Sequence, residues 1–96
     1  MNDTRKLLAS DTPRLAPHAR LRFDTSRDSW TIQAPERVFM LDAVAHAIVS
    51  RCDGAATIGA IVDDLCSAYR DAPPDAIKAD TYELLQSFVD KGVMIL

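Results

Sequence analysis

Two cysteines, two histidines and one adjacent aspartate pair are the residues of this 96-residue chain with the most chemistry to offer. Cys52 and Cys66 fit neither a CxxC redox motif nor the spacing of a zinc pair. Both fall on apolar stripes of predicted helices, where a cysteine acts as a small buried hydrophobe. A structural disulfide would call for a secreted setting. His18 follows Pro17 in a turn; His46 lies beside the helical stripe Ala45, Ile48, Val49 and so points outward. A general acid or base needs a partner and a pocket, and neither histidine has one in the pattern. Asp63 and Asp64 are neighbours on a helix, so their carboxylates diverge. The glycines, at 54, 59 and 92, are isolated and form no phosphate loop. No HxxxH or EF-hand series is present. The pattern reads as a protein that is not an enzyme and holds no cofactor or metal.

The bulk composition bounds what else it can be. A chain this short supports one core, and its 48% hydrophobic and 26% charged residues are ordinary for a globular domain. The net charge of −3 is unevenly spread. Residues 1–40 carry seven basic and five acidic side chains, whereas residues 41–96 carry four basic and nine acidic. No run approaches the roughly 18 apolar residues of a membrane span. The first twelve residues are polar apart from Leu7-Leu8-Ala9 and do not resemble a signal peptide. The expectation is a cytoplasmic domain over residues 13–96 behind a flexible arm over residues 1–12.

The elements follow from periodicity. Pro13–Ala16 is a short extended piece, kept to a sheet edge by its flanking prolines. Ala19–Asp24 and Ser29–Ala34 alternate with period two and are joined by the polar Thr25–Asp28, which predicts a hairpin. With Pro13–Ala16 they make a three-stranded antiparallel sheet whose apolar face is Leu21, Phe23, Trp30 and Ile32. Arg37–Leu41 is ambiguous, either extended or the approach to a helix. Asp42 and Thr57 are N-cap residues for helices of about 42–52 and 58–70. Asp75 can cap a third, whose stripe is Ile77, Thr81, Leu84, Leu85, Phe88 and Val89 and whose end is Lys91-Gly92. Val93–Leu96 is apolar and packs back on the core. Strands followed by helices give an α+β fold, in an order like that of a winged helix-turn-helix with its wing at the front.

That order invites a DNA-binding regulator, but a groove-reading helix needs cations. The second helix carries Asp63 and Asp64, and the third sets Asp80, Glu83 and Asp90 against Lys78 and Lys91. The expectation is no nucleic acid. A structural subunit of an enzyme complex that binds no free peptide is the other alternative. What remains is the sheet edge. Ser29–Ala34 contains no proline, so an extended peptide can add there by backbone hydrogen bonds.

Pro13-x-Leu15, Arg20-Leu21-Arg22-Phe23-Asp24, Ala34-Pro35-Glu36-Arg37, Asp53-Gly54, Thr57-Ile58, Ile61, Leu65, Tyr69, Asp80, Leu84-Leu85 and Gly92 follow in an order and spacing that resemble the PqqD family of pyrroloquinoline quinone (PQQ) biosynthesis. The resemblance covers about residues 13–96. It implies a peptide chaperone of the RiPP recognition element type, binding the precursor peptide PqqA and delivering it to the radical SAM enzyme PqqE. It also implies that the peptide adds beside the third strand, in a groove walled by the third helix. Carried onto this chain, that strand is Trp30, Thr31, Ile32, Gln33 and Ala34, and the wall comes from Leu84, Leu85, Phe88 and Val89, with Lys78 and Lys91 meeting acidic peptide side chains. A short first strand behind a loose arm leaves both a monomer and a strand-swapped homodimer open.

Overall fold

The fold is taken from a computed structural model, which describes residues 6–96. The order is β1 (Arg14–Leu15), β2 (Arg20–Asp24), β3 (Ser29–Ala34), β4 (Arg37–Leu41), α1 (Ala43–Val49), α2 (Ile58–Ala68), α3 (Pro74–Asp90) and β5 (Met94–Ile95). The expected α+β class holds, with a three-stranded antiparallel sheet and three helices after it. The membership of the sheet differs from expectation. Its order is β2-β3-β4, and β1 pairs with β5 in a separate two-stranded ladder. Arg37–Leu41 is therefore the third strand, and β3 is the middle one.

Each turn in the meander has a local cause. The Asp24 carboxylate accepts hydrogen bonds from the Ser26 hydroxyl (2.7 Å) and from the backbone N–H groups of Ser26 and Arg27. With the Ser26 hydroxyl foremost among the causes, its pKa is held below the ordinary carboxylate value. The second turn is only Pro35-Glu36, with proline preset for the first central position and Glu36 at φ 62°, the left-handed conformation the second one needs. The register sets Leu21, Phe23, Trp30, Ile32, Phe39 and Leu41 on one face and Arg20, Arg22, Thr31, Gln33, Val38 and Met40 on the other.

The helices cover the first face. Asp42 caps α1 by accepting from the Ala45 N–H at 2.8 Å, and Thr57 caps α2 by accepting from Ala60 at 3.1 Å. Helix α3 starts two residues earlier than an Asp75 cap would require. Pro74 opens it, where a missing N–H costs nothing and φ is already helical, and Asp75 falls in its first turn. Ile32, Ile48, Ile58, Ile61, Leu85, Val93 and Met94 are all within 2% of full burial. Cys52 lies in the same core and donates through Sγ to the Ile48 carbonyl at 3.3 Å. Burial, with a smaller contribution from the Asp53 charge, pushes its thiol up to about 12, so it stays protonated and inert at neutral pH. The apolar face of the sheet is not covered to its end. Trp30 and Phe23 remain 37% and 44% exposed. His46, expected to point away, is half-buried and stacks on Trp30 with centroids 4.4 Å apart.

Both ends of the described chain are tied down. Residues 1–5 of the expected arm lie outside the described residues, but Leu8, Ala9 and Asp11 are held by hydrogen bonds. Gly59 donates to the Ala9 carbonyl at 3.0 Å and Ile58 to Asp11 at 2.9 Å, which occupies N–H groups at the start of α2. Leu7 is buried in the core. Truncating it, Leu7→Ala, is expected to lower stability by about 2 kcal/mol in a urea titration; an unchanged midpoint would mean the segment is not docked. Strand β1 also crosses Gly54, which donates to the Pro13 carbonyl at 3.0 Å. Gly54 has φ 82°, and a Cβ there would sit 2.9 Å from Arg14 Cδ, so the crossing requires glycine.

Candidate peptide-binding groove

Strand β3 lies between β2 and β4, with Trp30 to Gln33 paired on both sides and Ala34 paired with Arg37 of β4. Its backbone is used up, so the strand template expected at Trp30–Ala34 is not available there. The difference arises because Pro13–Ala16 pairs outside this sheet and Arg37–Leu41 completes it, which puts β3 in the middle. Among the described residues the open flanks belong to β2 and β4. Only β4 leads directly into a helix wall.

The alternation of an antiparallel ladder identifies the groups that β4 presents. A two-residue loop makes Ala34 and Arg37 a hydrogen-bonded pair, so Ile32–Phe39 and Trp30–Leu41 are bonded as well. The intervening residues, Val38 and Met40, aim their N–H and C=O groups at the free edge. Their side chains, 49% and 54% exposed, lie on the outer face of the sheet.

Across from this edge lies the C-terminal half of α3, reached through side chains. Phe39 and Phe88 meet edge to face at 5.6 Å and form the floor. Arg37 donates from Nη1 to the Lys91 carbonyl at 3.1 Å, where it also satisfies one of the last carbonyls of the helix. Its guanidinium lies 4.9 Å from the centroid of the Phe39 ring, and the Lys91 ammonium lies 5.9 Å from the same point. At the other end β4 passes through Asp42 into α1. There the space between α1 and α3 opens to about 420 Å3, lined by Asp42, Val44, Ala45, Ile48, Asp80, Glu83, Leu84 and Ser87.

The residues expected in the wall divide between core and groove. Leu84 lines the groove. Phe88 forms its floor while being 95% buried, and Lys91 stands at its end. Leu85 is fully buried and Val89 packs against the core. Lys78 is exposed but does not line the groove; it stands about 200° round the helix from the lining Asp80. Thr31 and Gln33 face the outer side of the sheet, where Thr31 Oγ1 donates to the Arg22 carbonyl at 3.0 Å. The reading by periodicity missed Arg37, Val38, Phe39 and Met40. The signal was present in Ala34-Pro35-Glu36-Arg37, a two-residue turn that predicts a second hairpin. Among the described residues no three His, Cys, Asp or Glu side chains cluster as a metal site, and no helix is long and apolar enough to cross a membrane.

Fold and groove together define a small α+β domain laid out as a recognition element, with an open strand edge beside a helical wall. The chain belongs to the PqqD family: residues 29–94 match the family model for coenzyme PQQ synthesis protein D. A PqqA binding protein of Rhodopseudomonas palustris (strain BisB5) is 44% identical over 82 residues, covering 85% of this chain and 79% of that protein. The bifunctional coenzyme PQQ synthesis protein C/D of Methylorubrum extorquens is 41% identical over 88% of this chain, a region that makes up 23% of its own length. Among solved structures, the PqqD truncation of Methylobacterium extorquens PqqCD superposes with a TM-score of 0.77 at 39% identity, covering 94% of this chain and 95% of that one. That truncation is a functional and stand-alone RiPP recognition element. PqqD from Xanthomonas campestris gives a TM-score of 0.59 at 34% identity over 85% of this chain and 90% of that one.

Proposed function

We propose that this chain is a peptide chaperone of PQQ biosynthesis that binds the precursor peptide PqqA as an added strand on β4 and presents it to the radical SAM enzyme PqqE. The observation that carries the reading is the free flank of β4 beside the Phe39–Phe88 floor. Backbone bonds to Val38 and Met40 supply affinity, and side chains entering the groove supply selectivity. Relatives named PqqA binding proteins support the choice of ligand. The C/D fusion supports work alongside other proteins of the same biosynthesis. On this reading the domain catalyses nothing, holds no cofactor and acts in the cytoplasm. A monomer suffices, since β1 finds its partner β5 in its own chain. The acidic exposed faces of α2 and α3 disfavour a DNA-binding regulator.

Titration with synthetic PqqA is expected to give saturable heat in calorimetry. Amide shifts should concentrate in residues 37–45 and 80–91. Absence of heat, or shifts confined to the β2 edge, would remove the reading.

A further inference from the structure

The charges around the groove are sorted by end. Arg37 and Lys91 flank the Phe39 ring where β4 begins and α3 finishes. Asp42, Asp80 and Glu83 line the other end, where β4 runs into α1. The described residues contain no salt bridge that neutralises any of these three carboxylates; the ion pairs are Arg27–Asp24 and Arg51–Asp64. Asp42 spends one oxygen on the Ala45 N–H and stands at the mouth of the groove. Asp90, the acidic residue nearest the basic end on α3, is bonded instead by Gln86 at 3.0 Å. Lys91 leans back to donate to Ser87 Oγ at 2.8 Å, which keeps its charge over the floor.

An apolar floor alone would hold an extended chain in either direction and in several registers. Opposite charges at the two ends remove that freedom, because a wrongly placed peptide sets like charges together. We propose that the groove selects and orients its occupant by charge, taking an extended peptide with an acidic side chain beside Arg37 and Lys91 and a basic one beside Asp42, Asp80 and Glu83. Arg37 and Asp42 are separated by about 17 Å along β4, which corresponds to roughly five steps of extended chain. Antiparallel addition, the slightly more stable ladder, puts the basic residue on the N-terminal side of the acidic one. This inference rests on the assignment of β4 as the peptide edge and adds to it the chemistry of the segment that is read.

The test is a charge exchange with the full chain and synthetic PqqA. The double variant Arg37→Glu, Lys91→Glu is expected to bind roughly tenfold more weakly, as is Asp80→Lys, Glu83→Lys. All four side chains are on the surface, and circular dichroism checks that the fold survives. The decisive step changes each acidic residue of the peptide to lysine in turn. One such peptide should recover most of the affinity lost by the Arg37→Glu, Lys91→Glu protein, which a merely structural role for Arg37 would not permit. A nitroxide on the peptide N-terminus should broaden the amide signals of residues 42–45 and 80–84 more than those of residues 37 and 91. If the unaltered chain binds and neither double variant weakens it, or no peptide restores affinity, charge selection is overturned while the strand-addition site stands. If the unaltered chain does not bind, both fall.

Discussion

Met40→Pro is expected to weaken binding of the precursor peptide by about 30- to 100-fold while the domain stays folded. The residue sits on the edge strand, and its N–H belongs to the non-bonded positions of the β3–β4 ladder, so it points at the free flank. Proline is tolerated on edge strands when the missing donor faces solvent. Against an incoming strand the same change deletes one hydrogen bond and leaves a peptide carbonyl without a donor, a combined loss of about 2–3 kcal/mol. Calorimetry with PqqA measures the affinity and amide spectra report the fold. The same substitution at Thr31 would answer a different question. Thr31 is fully buried in the middle strand and paired with Arg22, so a proline there breaks the sheet itself. Full affinity in a folded Met40→Pro protein would place the added strand elsewhere, with the β2 edge as the remaining flank.

Two adjacent leucines on α3 should separate stability from binding. Leu85 is completely buried, and Leu85→Ala is expected to cost about 2–5 kcal/mol in urea denaturation through lost burial and the cavity left behind. Much of the stability of a domain this size would disappear. Leu84 lines the groove and is partly exposed, so Leu84→Ala should cost only about 1 kcal/mol of stability. It should instead reduce peptide affinity several-fold, because its contacts in the complex are with the ligand. If the two effects came out reversed, the division of α3 into core face and groove face would be wrong.

The helices were legible because their apolar positions recur at helical spacing and their starts carry Asp42 and Thr57, whose side chains do cap in the structure. Strands β2 and β3 were legible from strict alternation. Strand β4 was not, for a physical reason tied to function. Arg37-Val38-Phe39-Met40-Leu41 is apolar on both faces, since Phe39 and Leu41 turn to the core while Val38 and Met40 turn to solvent. Period two vanishes where both faces are apolar. The partner of β1 was illegible because it lies at the far end of the sequence, and local pattern says nothing about such pairing. That one misplacement moved the expected binding edge from β4 to β3. The wall of α3 was placed on the right helix but not on the right face throughout: neighbours such as Leu84 and Leu85 are only about 100° apart, and both read as apolar stripe.

The β1–β5 ladder bears on how the molecule is made. Leu15 faces Met94, so nearly the whole chain is looped between the two partners. Each strand of the β2–β3–β4 meander pairs with its neighbour in sequence, whereas β1 has to find its partner across almost all of the described chain, which makes this ladder the costliest loop to close. Arg14 and Ile95 form the outer rung of the ladder, and the residues before Arg14 run on along the start of α2. Tension drawn between Leu7 and Leu96 therefore has to free Leu7 from the core and Ala9 and Asp11 from the start of α2 before it parts the rungs of the ladder, and the sheet that carries the β4 edge stays outside that line of pull.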